Sequence, residues 1–182
     1  MGDPKKQKKK YETPRFPWRT DILQNELQLL GQYGLRNKRE LWRHRTMLSE
    51  FRGMARSLLS MSTTERAKLE TQLLGRLKRL GILSEDAVLD NVLDMNIEDI
   101  LERRLQTVVS RKSLAKSIHQ SRQLITHGHI AIGDKAVFAP SYLVLKNEEE
   151  KVAYALTSPV NNSEHPLRKM METEAVGGAK NE

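Results

Sequence analysis

The stretch SLAKSIHQSRQLITHGHIAI, residues 113–132, changes its period halfway along. Leu114, Ile118, Ser121 and Ile125 recur at steps of three and four, so they share one face of a helix that Ser113 is placed to cap. At 100° per residue, Lys116, His119, Gln123 and His127 fall on the opposite face, with Arg122 at its flank. Gly128 ends the helix, because glycine takes the left-handed closing conformation without a Cβ penalty. From His129 the alternation is every second residue: His129 to Ile132, a Gly133-Asp134 turn, then Ala136 to Phe138, the pattern of a tight β-hairpin.

Outward from this point the chain is helical before and extended after. Ile97, Ile100, Leu101, Leu105, Val108 and Val109 keep the i, i+3, i+4 spacing of a helix. Pro140 and Ser141 interrupt the hairpin. Tyr142–Leu145 and Lys151–Leu156 read as two further strands around a charged turn at Asn147–Glu150. Upstream, Asp21–Gly31 is a short helix with Leu23, Leu27 and Leu30 inward. Asn37–Met61 is a long one, with Leu41, Leu48, Phe51, Ala55 and Leu58 as its apolar stripe. Ser62 and Glu65 form an S-x-x-E box opening a third helix, with Leu73, Leu77 and Leu80 inward and Gly81 as its stop. The fold class is α+β: residues 1–20 an extended basic arm, 21–96 helical, 97–157 an αα-hairpin-plus-sheet module, and 158–182 an irregular tail.

Charge is sorted into blocks. The chain of 182 residues has 31 Lys plus Arg against 23 Asp plus Glu, a formal net charge of +8. Met1–Arg19, Arg36–Arg56 and Arg103–Lys135 each hold seven basic residues and at most two acidic ones, whereas Glu85–Glu102 holds seven acidic residues and no basic one. Such segregation makes separate basic surfaces suited to a polyanion and one acidic surface suited to something else. No apolar run approaches the roughly 20 residues of a membrane span, and the charged N-terminus is no secretory signal, so a cytoplasmic protein is expected.

Catalysis finds no footing. There is no cysteine, hence no thiolate nucleophile, disulfide or cysteine-ligated metal. No G-x-S-x-G elbow occurs, and G-Q-Y-G at Gly31–Gly34 fits neither phosphate-binding loop. His127 and His129 lack a third ligand, so no metal or other cofactor is expected, nor a small-molecule substrate. Donors held at fixed spacing on a helix pair suit RNA instead, whose phosphates and 2′-hydroxyls present a shape to read. In the arm, Arg15 and Arg19 interleave with Phe16 and Trp18, a mixture suited to phosphates and exposed bases. Arg36, Lys38, Arg39 and Arg43 supply cations where the long helix begins.

The segments Arg103-Arg104-Leu105, Arg122-Gln123-Leu124-Ile125, His127-Gly128-His129-Ile130 and Pro140-Ser141-Tyr142 closely resemble the small RNA-binding module named after ribosomal small-subunit protein four. The resemblance implies that Arg103, Arg104, Arg111, Lys116, His119, Arg122, Gln123 and His127 face RNA, with Lys112, His129, Ser141 and Tyr142 beside them. The run from Gly31 to Arg43 and the stretch Glu98–Thr107 are similar to the archaeal and eukaryotic branch of the ribosomal family itself, and the short tail suits an archaeal member. That implies a structural small-subunit protein binding rRNA early, contacting small-subunit protein five, and lying near mRNA at its entry path. The alternatives are a stand-alone RNA-binding protein that recycles ribosomal particles, a pseudouridine synthase fragment, and a membrane-surface protein. The helical region argues against the first, lacks the mixed sheet of the second, and covers the apolar stripe the third would expose.

Overall fold

The computed structural model describes residues 9–162 and 164–168. Lys5, Lys6 and Lys8 of the arm and the Gly177-Gly178 pair of the tail lie outside them. Residues 9–19 contain neither helix nor strand and run back along the second helix: the Glu12 amide donates to Thr46 Oγ1 at 3.0 Å, and Tyr11 packs on Trp42 with ring centroids 5.9 Å apart.

Three helices follow: α1 (Thr20–Gln32), α2 (Lys38–Leu59) and α3 (Thr63–Arg79). Asn37 starts α2 by accepting the Glu40 amide at 3.1 Å, which satisfies one of the free donors of a first turn. The α2 stripe Leu41, Leu48, Phe51, Ala55 and Leu58 is buried as its spacing predicts, and so are Leu73, Leu77 and Leu80 of the third helix and its cap. Ser62 occupies the N-cap position of α3, but its side chain makes no capping bond, so the expected box is not formed. The α1 stripe also differs from expectation. Leu27 is 54% exposed while Glu26 is only 4% exposed. Trp42 Nε1 at 3.0 Å and Lys38 Nζ at 3.1 Å reach the Glu26 carboxylate from α2, so the helix turns its carboxylate inward and a leucine outward.

The acidic segment carries α4 (Leu89–Asp94) and leads into α5 (Ile97–Glu102) and α6 (Leu105–Arg111). The apolar spacing runs through α5 and α6, yet the backbone breaks between them at Arg103-Arg104. There the chain opens to accept a strand-like partner: Leu105 N–H donates to Tyr142 O at 2.7 Å, Val144 N–H donates to Arg103 O at 2.8 Å, and Arg104 pairs with Leu143 in an isolated bridge. That bridge is all that forms of the strand expected over Tyr142–Leu145. The charged turn after it is a single helical turn, α8 (Lys146–Glu149).

Ser113 does not cap the next helix. Its φ is +55°, its N–H donates to Ser110 O, and Leu114 N–H donates to Val109 O, the two bonds of a Schellman closure of α6. Ser117 takes the capping role instead, accepting the Gln120 amide at 3.2 Å, and α7 runs Ile118–Thr126. Lys116 therefore precedes the helix rather than riding on it. Gly128, at φ +77°, closes α7 by the same two-bond motif.

The sheet is small and antiparallel, with β1 (Ile130–Ile132) between β2 (Lys135–Ala136) and β3 (Val152–Tyr154). Gly133 at φ +60° occupies the first central position of the two-residue turn, where a positive φ matches the strand twist. Leu105, Val108, Val109, Leu124, Ile125, Ile130 and Val152 form one core of α6, α7 and the sheet. A second joins α2, α3, α4 and Ile100 of α5, and a third brings Tyr33, Leu35, Leu41 and Leu101 together where the two meet. The α5 helix thus shares its core with the helical region that precedes it.

Candidate nucleic-acid interface

The basic surfaces meet along a junction between the start of α2 and the α6–α7 pair. At its centre is Glu40, in the first turn of α2. Its carboxylate accepts from Arg122 at 2.7 Å and 3.1 Å, one guanidinium nitrogen to each oxygen, and from Arg104 at 3.1 Å. Arg104 is 0% exposed, and its other terminal nitrogen lies 2.7 Å from His44 Nε2. An arginine only donates, so His44 Nε2 accepts and the ring proton sits on Nδ1. Burial, followed by the Arg104 charge, pushes the His44 imidazole down to about 4. Burial works to raise the Glu40 carboxyl, but the Arg122 hydrogen bonds and charge, then those of Arg104, hold it below the usual carboxylate range.

A second set of contacts runs alongside. Gly34, at φ +57°, closes α1, and its carbonyl accepts from Gln106 Nε2 at 3.0 Å. The same amide donates to Ile118 O at 3.0 Å, while the Gln106 oxygen faces Arg122 at 3.4 Å and Arg104 at 3.5 Å. Two carbonyls and two guanidinium groups leave one sensible orientation for that amide. Beside it, Tyr33 donates its hydroxyl to Glu102 at 3.1 Å, and Arg111 donates to the same oxygen at 2.7 Å. Burial and the adjacent Glu102 carboxylate push the Tyr33 phenol up to about 12.

The expected RNA-facing residues divide by exposure. Arg36, Arg39 and Arg43 are exposed around the start of α2, and Lys38 is half-buried against Glu26. His119, Gln123 and His127 are exposed along α7, and Lys116 is exposed just before it. His127 stacks on His129, whose Nδ1 lies 2.9 Å from Ser158 Oγ. Ser141 and Tyr142 are exposed, the latter donating to Glu148 at 2.9 Å. In the arm, Arg15 lies over the Phe16 ring, Arg19 reaches Asp21 at 4.0 Å, and Trp18 is 86% exposed.

Several of the expected cations are engaged by the protein itself, Lys38 with Glu26 and Arg111 with Glu102 among them. Arg103 is half-buried, with Glu149 at 2.7 Å and Val144 O at 3.1 Å. Lys112 donates to the carbonyl oxygens of Glu149 and Val152. Arg122 spends both terminal nitrogens on Glu40. Arg104 departs from expectation altogether, since a guanidinium with no exposed surface cannot meet a phosphate. Sequence reasoning missed Glu40, His44 and Gln106, whereas the helix stop at Gly34 was legible from the glycine itself. The one available signal was Glu40, an isolated carboxylate inside an arginine-rich run.

The described residues include no helix long and apolar enough to cross a membrane. The S4 domain model matches residues 103–149, which span the break before α6 through α8. Over most of its length the chain is similar to three archaeal proteins, each named small ribosomal subunit protein uS4. The one from Metallosphaera sedula is 49% identical over 90% of this chain and 91% of its own length. The one from Picrophilus torridus is 51% identical over 94% and 95%. The one from Hyperthermus butylicus is 54% identical over 87% and 90%.

Proposed function

This chain belongs to the small ribosomal subunit protein uS4 family, and from that premise we propose that it is a structural constituent of the small ribosomal subunit that binds the subunit's rRNA directly. The observation that carries the reading is the junction. It ties α2 at Glu40, next to the exposed Arg39 and one turn from the exposed Arg43, to α7 at Arg122, next to the exposed Gln123 and one turn from the exposed His119. Arg36 and His127 are exposed at the ends of the same two segments. Guanidinium groups hold phosphates, and the neutral donors of His and Gln suit 2′-hydroxyls and base edges. Lys116, Ser141 and Tyr142 extend the surface at the module end. Arg15, Trp18 and Arg19 extend it along the arm, where an exposed indole has a base to stack on.

The action is by differential binding. Two surfaces in fixed relation fit one arrangement of RNA helices, so binding favours that folded arrangement over open ones. On this reading the protein nucleates assembly of the subunit body, and its parts are an arm, a helical region, a module and a tail, with α5 counted to the helical region whose core it shares. The exposed acidic residues Glu85, Asp86, Asp90, Asp94, Glu98 and Asp99 are unsuited to phosphate. We assign that surface to a neighbouring protein; separately, the family reading brings the protein against small-subunit protein five, near the path by which mRNA enters, where that contact influences accuracy.

The test is a titration onto naked small-subunit rRNA across a salt series, with tRNA and duplex DNA as competitors. Saturable binding that survives both competitors, with a salt slope of several phosphates, is the expected result. Equal affinity for all three polymers would reduce the basic surfaces to a general polyanion sponge. Cross-linking that traps the acidic surface on rRNA alone would remove the protein-neighbour assignment.

A further inference from the structure

We propose that Glu40 is a positioning residue, a carboxylate lock that joins the helical region to the module and makes their two basic faces act on RNA as one rigid surface. The inference rests on the rRNA-binding reading and adds to it how the surface is held. Glu40 takes a two-point contact from Arg122, 82 residues away in sequence, and a further bond from Arg104, 64 residues away. One is at the start of α2, one in α7 and one at the α5–α6 break, so a single carboxylate ties three elements. Its own neighbours in sequence and on the next turn, Arg39 and Arg43, are exposed, as are Gln123 next to Arg122 and His119 one turn earlier. The lock therefore sits between residues assigned to RNA on two elements, with its own polar atoms turned on one another.

The chemistry favours holding over reading. Arg122 has both terminal nitrogens on Glu40, and Arg104 has no exposed surface, so neither is placed to neutralise phosphate. Two surfaces held in fixed relation bind a matching RNA as a chelate, because engagement of one places the other at high effective concentration. A loose seam forfeits that gain while leaving every RNA-facing side chain in place.

The chain has no cysteine, so labels placed at Ser49→Cys on α2 and Lys135→Cys on β2, both exposed, report the distance between the two parts. The native background is expected to give one narrow distance distribution. Glu40→Gln, which keeps the shape and removes the charge, is expected to broaden it. Affinity for small-subunit rRNA should then fall about ten- to a hundredfold at fixed salt, the usual scale of coupling between linked sites. The salt slope should stay unchanged, since no phosphate contact is lost. Arg122→Gln should do the same, and the double variant should be no worse than either single one. Should Glu40→Gln fail to fold, Arg122→Lys, which keeps the charge but loses the fork, serves as the second variant and should show the same pattern.

A merely stabilising pair would lower the melting temperature and leave the distances and the affinity of the folded protein untouched, overturning the proposal. Tighter binding with a steeper slope would also overturn it, because Glu40 would then be withholding Arg122 from RNA. If the native chain showed no preference for rRNA, the functional reading would fall, while the label distances would still decide whether the lock exists.

Discussion

Gly34 shows how a single residue constrains the junction. A Cβ at this position would lie 2.8 Å from both Gln106 Nε2 and Ile118 Cγ2, and φ is +57°. The Gln106 amide cannot swing away without abandoning two carbonyls, and Ile118 is stiff at χ1. Gly34→Ala is expected to cost roughly 2–4 kcal/mol, measured by urea denaturation, from left-handed strain plus overpacking. The pH dependence has its source one helical turn beyond Glu40. His44 is uncharged in the folded protein down to about 4, whereas an ordinary imidazole protonates near 6.5. Between those values the unfolded chain binds a proton that the folded one does not. Stability should therefore be fully present above about pH 6.5 and fall as the pH drops toward 4, by about 2–3 kcal/mol from this group. Glu40, held below the usual carboxylate range, adds a further loss at lower pH. His44→Gln, which offers Arg104 an acceptor that does not titrate, should flatten the upper part of that curve.

At the scale of elements, the informative feature is the break between α5 and α6. Apolar spacing is continuous from Ile97 to Val109, and periodicity alone cannot see that Arg103 and Arg104 leave the helix to pair with residues 142–144. The competing interaction is a backbone ladder from 40 residues downstream, supplemented by the burial of Arg104 against Glu40 and His44. The same limit explains Ser113: a serine before an apolar run looks like an N-cap, and only the geometry of the preceding helix makes it a left-handed C-terminal residue. Where one face decides the matter, periodicity succeeded, as in the α2 stripe and in the packing of α6 against α7. Leu105 is fully buried in that packing. Leu105→Ala should lower stability by about 2–5 kcal/mol, read from the thermal midpoint, through the cavity it leaves.

For the whole molecule, charge placement dominates. The arm carries Lys9, Lys10, Arg15 and Arg19 among its described residues and touches α2 through Tyr11 and Glu12. Removing residues 1–19 should leave the fold intact by circular dichroism, weaken rRNA binding, and lower the salt slope by one for each phosphate the arm neutralises. The positions and signs of the charged blocks, the apolar stripes of α2 and α3 and the glycine stops were readable along the chain, because each depends on local spacing, whereas the inward face of α1 was set by the partners of Glu26. So was the kinship of Arg122-Gln123-Leu124-Ile125 and its surroundings to an RNA-binding module. What the chain order could not reveal is which cations remain free for RNA. Arg104 and Arg122 look identical to Arg39 and Arg43 as letters, and differ only because folding brings Glu40 and His44 to the former and solvent to the latter. A buried charge must be paired where it lies, and the partner is chosen by tertiary proximity across 60 to 82 residues, beyond the reach of any local pattern.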